Sequence, residues 1–190
     1  MNKPWDIIKE LESDNSRLKK EAIIKREHQA DNVRFFTGVG ACLDSFRTFG
    51  VQKVPLAIKD VAIGPRLFDD SEFYDVLQRL EDRELTGNDM RNTINNLAGR
   101  CEKDAWNYWY RRILIKDLKC GVTHKTINKH TTMKVPVFEC MLADDSKKHE
   151  KKMTGEVYVE PKLDGVRVIT ICDVDKDEVK MFSRNGKELS

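Results

Sequence analysis

Near residue 131 the hydrophobic period of this chain changes, and that change limits its folds more than any other feature. Before it, apolar residues recur at helical spacing: Ile8 and Leu11; Leu18, Ala22 and Ile23; Phe73, Val76, Leu77 and Leu80; Trp106, Trp109, Tyr110 and Ile113. The first half is therefore expected to be several packed helices. Ser16 and either Asp70 or Ser71 suit N-cap positions, Gly50 follows a helix-like run as a stop, and "TGND" at residues 86–89 separates two helical stretches. From residue 132 the texture differs. "TTMKVPVFEC" carries a proline and β-branched residues, "DDSKKHEKKMTG" is a charged connection, and "EVYVEPK", "VRVITICD" and "EVKMFS" are short valine- and isoleucine-rich runs. Asn185-Gly186 is a turn signal after the last run. Three short antiparallel strands cannot cover both faces of a sheet, so this half reads as incomplete. The expected class is α+β, divided into residues 1–133 and 134–190.

Composition narrows the partners only locally. The 190 residues are 39% hydrophobic and 35% charged, with a net charge of +2, which allows a real core and neither demands nor excludes a polyanion. The cysteines Cys42, Cys101, Cys120, Cys140 and Cys172 are odd in number and form no C-x-x-C pair. That argues against a disulfide framework or a zinc site and fits a reducing cytoplasm. No stretch approaches the roughly 20 apolar residues of a membrane span, and the opening "MNKPWDIIKELES" is not an export leader, so no membrane partner is expected.

Charge does cluster before the boundary. Arg111, Arg112, Lys116, Lys119, Lys125, Lys129 and Lys134 face the single acid Asp117. Thr123 suits the N-cap of a short helix whose Lys125, Thr126, Asn128 and Lys129 are expected to meet a phosphate backbone together with Lys119. A solvated helix face explains the same run without a ligand. Trp106 and Trp109 share a helical face with Tyr110 and Ile113, which favours core packing over base stacking.

The most chemical stretch is "VEPKLDGVRV", residues 159–168. Strand alternation places Tyr158, Glu160 and Lys162 on one side and Val157, Val159 and Pro161 on the other, with Gly165 in the turn that follows. A lysine flanked by Glu160, Asp164 and Arg167 is poorly explained as packing. As a nucleophile its amine must be neutral, against an ordinary pKa of about 10.4, which calls for burial, the nearby Arg167 or a bound metal ion. A surface hairpin with incidental charges would account for K-x-D-G alone; the longer E-x-K-x-D-G-x-R pattern is more specific.

These residues resemble the ATP-dependent DNA ligase family. "EPKLDGVRV" is similar to its nucleotidyltransferase motif K-x-D-G-x-R, and "FSRNGK" at residues 182–187 to the S-R motif that follows. "RRILIKDLKCGVTHKTINK" resembles the end of the family's helical DNA-binding domain, and "FECMLA" the entry to its adenylation domain, although Glu139 stands where the family often has proline. The first hundred residues match in texture only.

The resemblance implies an N-terminal all-α DNA-binding domain followed by the start of an antiparallel β-rich adenylation domain. It implies that Lys162 attacks the α-phosphate of ATP, with Mg2+ as metal cofactor, and that AMP then passes through DNA-adenylate to seal nicked duplex DNA. Glu160 matches the acid that binds the adenine amino group, Arg167 the arginine near ribose and nick, Arg184 a phosphate-binding arginine, and Asp164 an acid of the sealing steps. The family's later acid and K-x-K motifs do not occur, so the chain is expected to be an N-terminal piece, inactive alone and without metal ligands of its own. A monomer in the cytoplasm, or in the host cytoplasm if phage-encoded, is expected; contact with a replication clamp stays open. RNA ligases and capping guanylyltransferases share the lysine motif, and a DNA-binding module with an inactive motif is the non-enzyme alternative.

Overall fold

The computed structural model describes residues 1–58, 69–138, 144–159, 161, 165–184, 186 and 188–189. The architecture is α+β, in two compact units, Met1–Val137 and Phe138–Ser190. The helices of the first unit are α1 (Pro4–Ser13), α2 (Arg17–Gln29), α3 (Val33–Leu43), α4 (Asp70–Glu81) and α5 (Gly87–Arg100). They continue with α6 (Lys103–Ala105), which runs through a π-helical stretch (Trp106–Tyr110) into α7 (Arg111–Leu114), and with α8 (His124–His130). No helix among the described residues is long and apolar enough to cross a membrane.

Three of the four apolar stripes read from the sequence converge on one core; the fourth does not, because α2 turns Leu18 (77% exposed) and Ala22 outward, leaves Ile23 half-buried and buries Ile24 and Glu27 instead. Ile8, Leu11, Phe35, Phe73, Leu77, Leu80, Trp106, Trp109 and Ile113 are all essentially inaccessible. The tryptophans are therefore packing residues: Trp109 stacks on Phe35 at 5.5 Å, and Trp106 donates its indole N–H to Pro55 O at 2.8 Å. α3 crosses the π-helical stretch at Gly38, where a Cβ would overlap the Trp109 ring and come within 2.8 Å of Ile113 Cδ1.

Several helix ends differ from expectation. The cap of α4 is Asp69, one residue earlier than expected, whose carboxylate accepts from Glu72 N at 3.0 Å, while Asp70 opens the helix. Ser16 caps α2 by position, without a side-chain bond. Gly50 stops nothing, because α3 ends at Leu43. The left-handed residues that end helices are Asp31 (φ 50°), Arg83 (φ 63°) and Lys116 (φ 59°). At each, the following amide bonds back five residues: Asn32 N to Glu27 O, Glu84 N to Arg79 O, and Asp117 N to Arg112 O. Glycine is the usual residue here, so the motif is invisible to a search for glycine.

The first unit extends to Val137, four residues beyond the expected division, because Val135 is buried in it. In the second unit β1 (Val168–Asp173), β2 (Glu178–Ser183) and β3 (Glu188–Leu189) form an antiparallel sheet in the order β1-β2-β3. The β1–β2 ladder runs from Val168 opposite Ser183 to Asp173 opposite Glu178. Directly paired residues share a face, so Ile169, Ile171 and Phe182 line one side and Val168, Cys172, Val179 and Met181 the other. Phe138 lies against Phe182, and Gly186 (φ 80°) turns beneath it, where a Cβ would approach Phe138 Cβ to 2.6 Å.

Two β expectations fail. Residues 132–138 form no strand, and residues 156–159 pair with no strand among the described residues, where Val157, Tyr158 and Val159 are exposed. β propensity yields a strand only where a ladder partner accepts the backbone groups.

Candidate functional site

The basic segment before the domain division separates into two sets once its partners are seen. Arg112 is buried: Nη1 donates to Glu12 Oε1 at 2.7 Å and to Leu118 O at 2.6 Å, and its guanidinium lies over the Tyr108 ring at 4.9 Å. Lys116 donates to Ala41 O at 3.0 Å and Asp44 O at 2.5 Å, closing the C-terminal end of α3, and burial pushes its pKa down. Arg111 Nε donates to Val54 O at 3.1 Å, and Lys134 Nζ to Asn128 O at 2.7 Å. These four cations hold the chain itself. Lys119, Lys125 and Lys129 are exposed.

Lys125 and Lys129 stand four residues apart on α8 and share a helical face. Lys119 precedes them in a tight loop, with φ 54° and its amide on the Asp117 carboxylate at 2.8 Å. The face is seated from α2, a hundred residues earlier in sequence. Lys20 Nζ donates to Cys120 O at 2.8 Å, Glu21 Oε2 lies 3.1 Å from His130 Nε2, His28 Nε2 accepts from Thr132 N at 3.3 Å, and Ile127 is buried. No local sequence signal points to Lys20, Glu21 or His28 in that role.

Two residues assigned to the phosphate contact stand differently. Thr126 is half-buried. Asn128 uses both ends of its amide on one residue, Oδ1 accepting from Val135 N at 2.7 Å and Nδ2 donating to Val135 O at 2.9 Å. It therefore holds the segment that leaves α8 in place, instead of pointing to a ligand. Thr123 takes the N-cap position, without a side-chain bond.

Of the nucleotide-site residues, Arg167 and Arg184 are described and exposed, and Glu160, Lys162 and Asp164 lie outside the described residues, as do Glu139 and Asn185. Arg167 precedes Val168 and Arg184 follows Ser183, the two residues that face each other at one end of the β1–β2 ladder. Both guanidinium groups thus belong to the same end of one hairpin, although 17 residues separate them (184 minus 167). Such a donor set suits phosphate oxygens, so it fits a nucleoside triphosphate. Among the described residues no group of three or more His, Cys, Asp or Glu side chains is placed to hold a metal ion. A cleft of about 430 Å3 between α1 and α2 contains none of the predicted site residues; Arg26 pairs there with Glu10 and Lys19 with Asp14, and Lys20 is held by Cys120 O.

Residues 126–190 match the family described as ATP dependent DNA ligase domain. Over 112 residues the chain is 30% identical to the DNA ligase of Enterobacteria phage T4, and equally to that of phage T6; each alignment covers 57% of this chain and 23% of the relative. Solved structures named Pmar-Lig_Pre and Pmar-Lig_PreS3 superpose on 100% of this chain with a TM-score of 0.85 and 42% identity, over 44% of their own length. The chain thus spans less than a quarter of the phage enzymes and less than half of the solved structures.

Proposed function

From the match of residues 126–190 to the ATP dependent DNA ligase domain, we propose that the chain is part of an ATP-dependent DNA ligase and that the protein it comes from seals nicks in duplex DNA, with Lys162 as the residue that carries AMP. One observation carries this reading: E-x-K-x-D-G-x-R lies inside the matched segment 126–190, with Arg184 following it.

The neutral Lys162 amine forms an N–P bond to the α-phosphorus of ATP, the P–O bond to the β-phosphate breaks, pyrophosphate leaves, and the amine's proton passes to solvent. Arg167 and Arg184 contribute charge to hold the phosphates, and Glu160 receives the adenine amino group. AMP then moves to the 5′-phosphate at the nick, and the neighbouring 3′-hydroxyl displaces it, with Asp164 serving these steps. Mg2+ accompanies the triphosphate, as is usual for an ion that keeps most of its water and binds phosphate oxygens. Lys119, Lys125 and Lys129 grip the duplex by its backbone, which positions without specifying sequence, as a general sealing enzyme requires. Asn128 supports α8 from within, and Thr126 lines its edge.

Labelled ATP and Mg2+ added to the full gene product test the assignment. An acid-labile AMP adduct is expected, and Lys162→Arg, which keeps the charge without an amine that can be neutral, abolishes it. An undiminished adduct in this variant rejects Lys162.

A further inference from the structure

The junction between α2 and α8 contains two of the chain's four histidines, and they use their rings in opposite ways. His130, the last residue of α8, faces Glu21 on α2, with Nε2 3.1 Å from Oε2. Both side chains are nearly closed to solvent, His130 being 8% exposed and Glu21 12%. The contact is close but not aligned, and Nε2 makes no hydrogen bond of good geometry. A neutral ring therefore gains little from the carboxylate, whereas a charged ring is drawn to it at that distance whatever the angle. Seven residues further along α2, His28 Nε2 accepts from Thr132 N at 3.3 Å, with its ring edge-on to Phe36. That role requires an unprotonated nitrogen.

The charges around the pair keep Glu21 negative. Arg17 Nε donates to Glu21 Oε1 at 2.8 Å, and this bond holds the carboxyl below the ordinary carboxylate range, so Glu21 stays ionised at the pH values where histidines change charge. The other acid of α2, Glu27, is buried among Asn2, Arg26 and Asn32, and α8 contains no acid. Lys20 is occupied by Cys120 O, Lys129 adds a positive charge from α8, and His124 opens that helix.

We propose that Glu21 and His130 form a proton-sensitive clasp that sets how firmly α8 is seated on α2. A proton taken from solvent onto the His130 ring turns a neutral contact into an ion pair and tightens the seat. Its loss leaves buried Ile127 and the Lys20–Cys120 bond to hold the helix. His28 opposes the change, because charging its ring costs Thr132 N its acceptor. Lys125 and Lys129 ride on the same helix, so the clasp regulates how rigidly that cationic face is presented, whatever it meets.

Amide hydrogen exchange of the 190-residue chain tests the clasp, with α8 read against α1 as an internal standard at about pH 5.5 and about pH 8.5. Glu21→Gln keeps the size of the side chain and removes its charge. The His28 and His124 rings are common to parent and variant, so their responses cancel in the comparison. At the lower pH, α8 protection is expected to be about five-fold weaker in Glu21→Gln, the upper end for a single ion pair, and at the higher pH the difference closes. His130→Gln, whose side chain cannot be charged, is expected to show the same pattern against the parent. A difference equal at both pH values, or none at either, overturns the proposal. So does a pH-dependent difference in Glu21→Gln that His130→Gln does not share, because the proton then belongs to another group.

Discussion

Gly38 lies directly against the indole of Trp109: a Cβ at this position of α3 would overlap the ring and come within 2.8 Å of Ile113 Cδ1. Because Trp109 is inaccessible and stacked on Phe35, it has nowhere to move. Gly38→Ala is expected to lower unfolding free energy by about 1–3 kcal/mol, the usual range for overpacking. Gly99, on the exposed side of α5, has no atom within 4 Å of its Cβ position, so Gly99→Ala is expected to add about 0.5–1 kcal/mol through helix propensity alone. Urea unfolding of both variants checks the pair; equal signs would remove the close crossing as an explanation.

The left-handed helix ends separate conformational strain from side-chain function. Asp31 (φ 50°) is exposed at the end of α2, and a left-handed conformation costs an ordinary residue about 1–2 kcal/mol. Asp31→Gly is therefore expected to raise the thermal midpoint. Lys116 has the same strain, yet its amine closes the end of α3 on Ala41 O and Asp44 O. Lys116→Gly relieves the backbone and leaves those carbonyls unmet, so its midpoint falls. Two shifts in the same direction would refute the distinction.

Glu27 gives the helical unit a dependence on acid pH. It is 1% exposed; burial pushes its pKa up, but hydrogen bonds from Asn32, Asn2 and Arg26 outweigh this and leave it below the ordinary carboxylate value. With the folded pKa below the unfolded one, the unfolded chain binds more protons between the two, and stability rises with pH there. The contribution is complete above the unfolded value of about 4.3 and disappears as pH falls through the folded value. Glu27→Gln is expected to lower stability at neutral pH and to flatten the stability–pH curve below about 4.5, read from denaturant midpoints across an acid series. A parallel curve, merely displaced, would assign the acid sensitivity to other carboxylates.

Lys125 and Lys129 share one exposed face of α8 and are assigned to phosphates. Replacing both with alanine is expected to weaken binding to every duplex sequence alike and to flatten the log affinity–log salt slope by up to about 0.9 for each phosphate that is no longer neutralised. Fluorescence anisotropy on two unrelated duplexes measures this. An unchanged slope returns the lysines to an ordinary solvated surface.

Period and local chemistry made much of this protein legible from its residues. The change from helical to strand texture and the burial of Trp106 and Trp109 depend on residues a few positions apart, where spacing alone sets which side chains share a face, and the strands β1 and β2 are close enough in sequence for a short turn to pair them. The cation run was legible as charge but not as function. Nothing near Arg112 or Lys116 in sequence shows that Glu12, Ala41 and Asp44, between 72 and 100 residues away, engage them. Only tertiary structure decided that, just as it ended helices at Asp31, Arg83 and Lys116 without glycine and left residues 156–159 without a partner strand among the described residues. The reason is that a hydrogen bond or ion pair is defined by both of its ends. Local sequence specifies one end, and the fold alone brings the other to it.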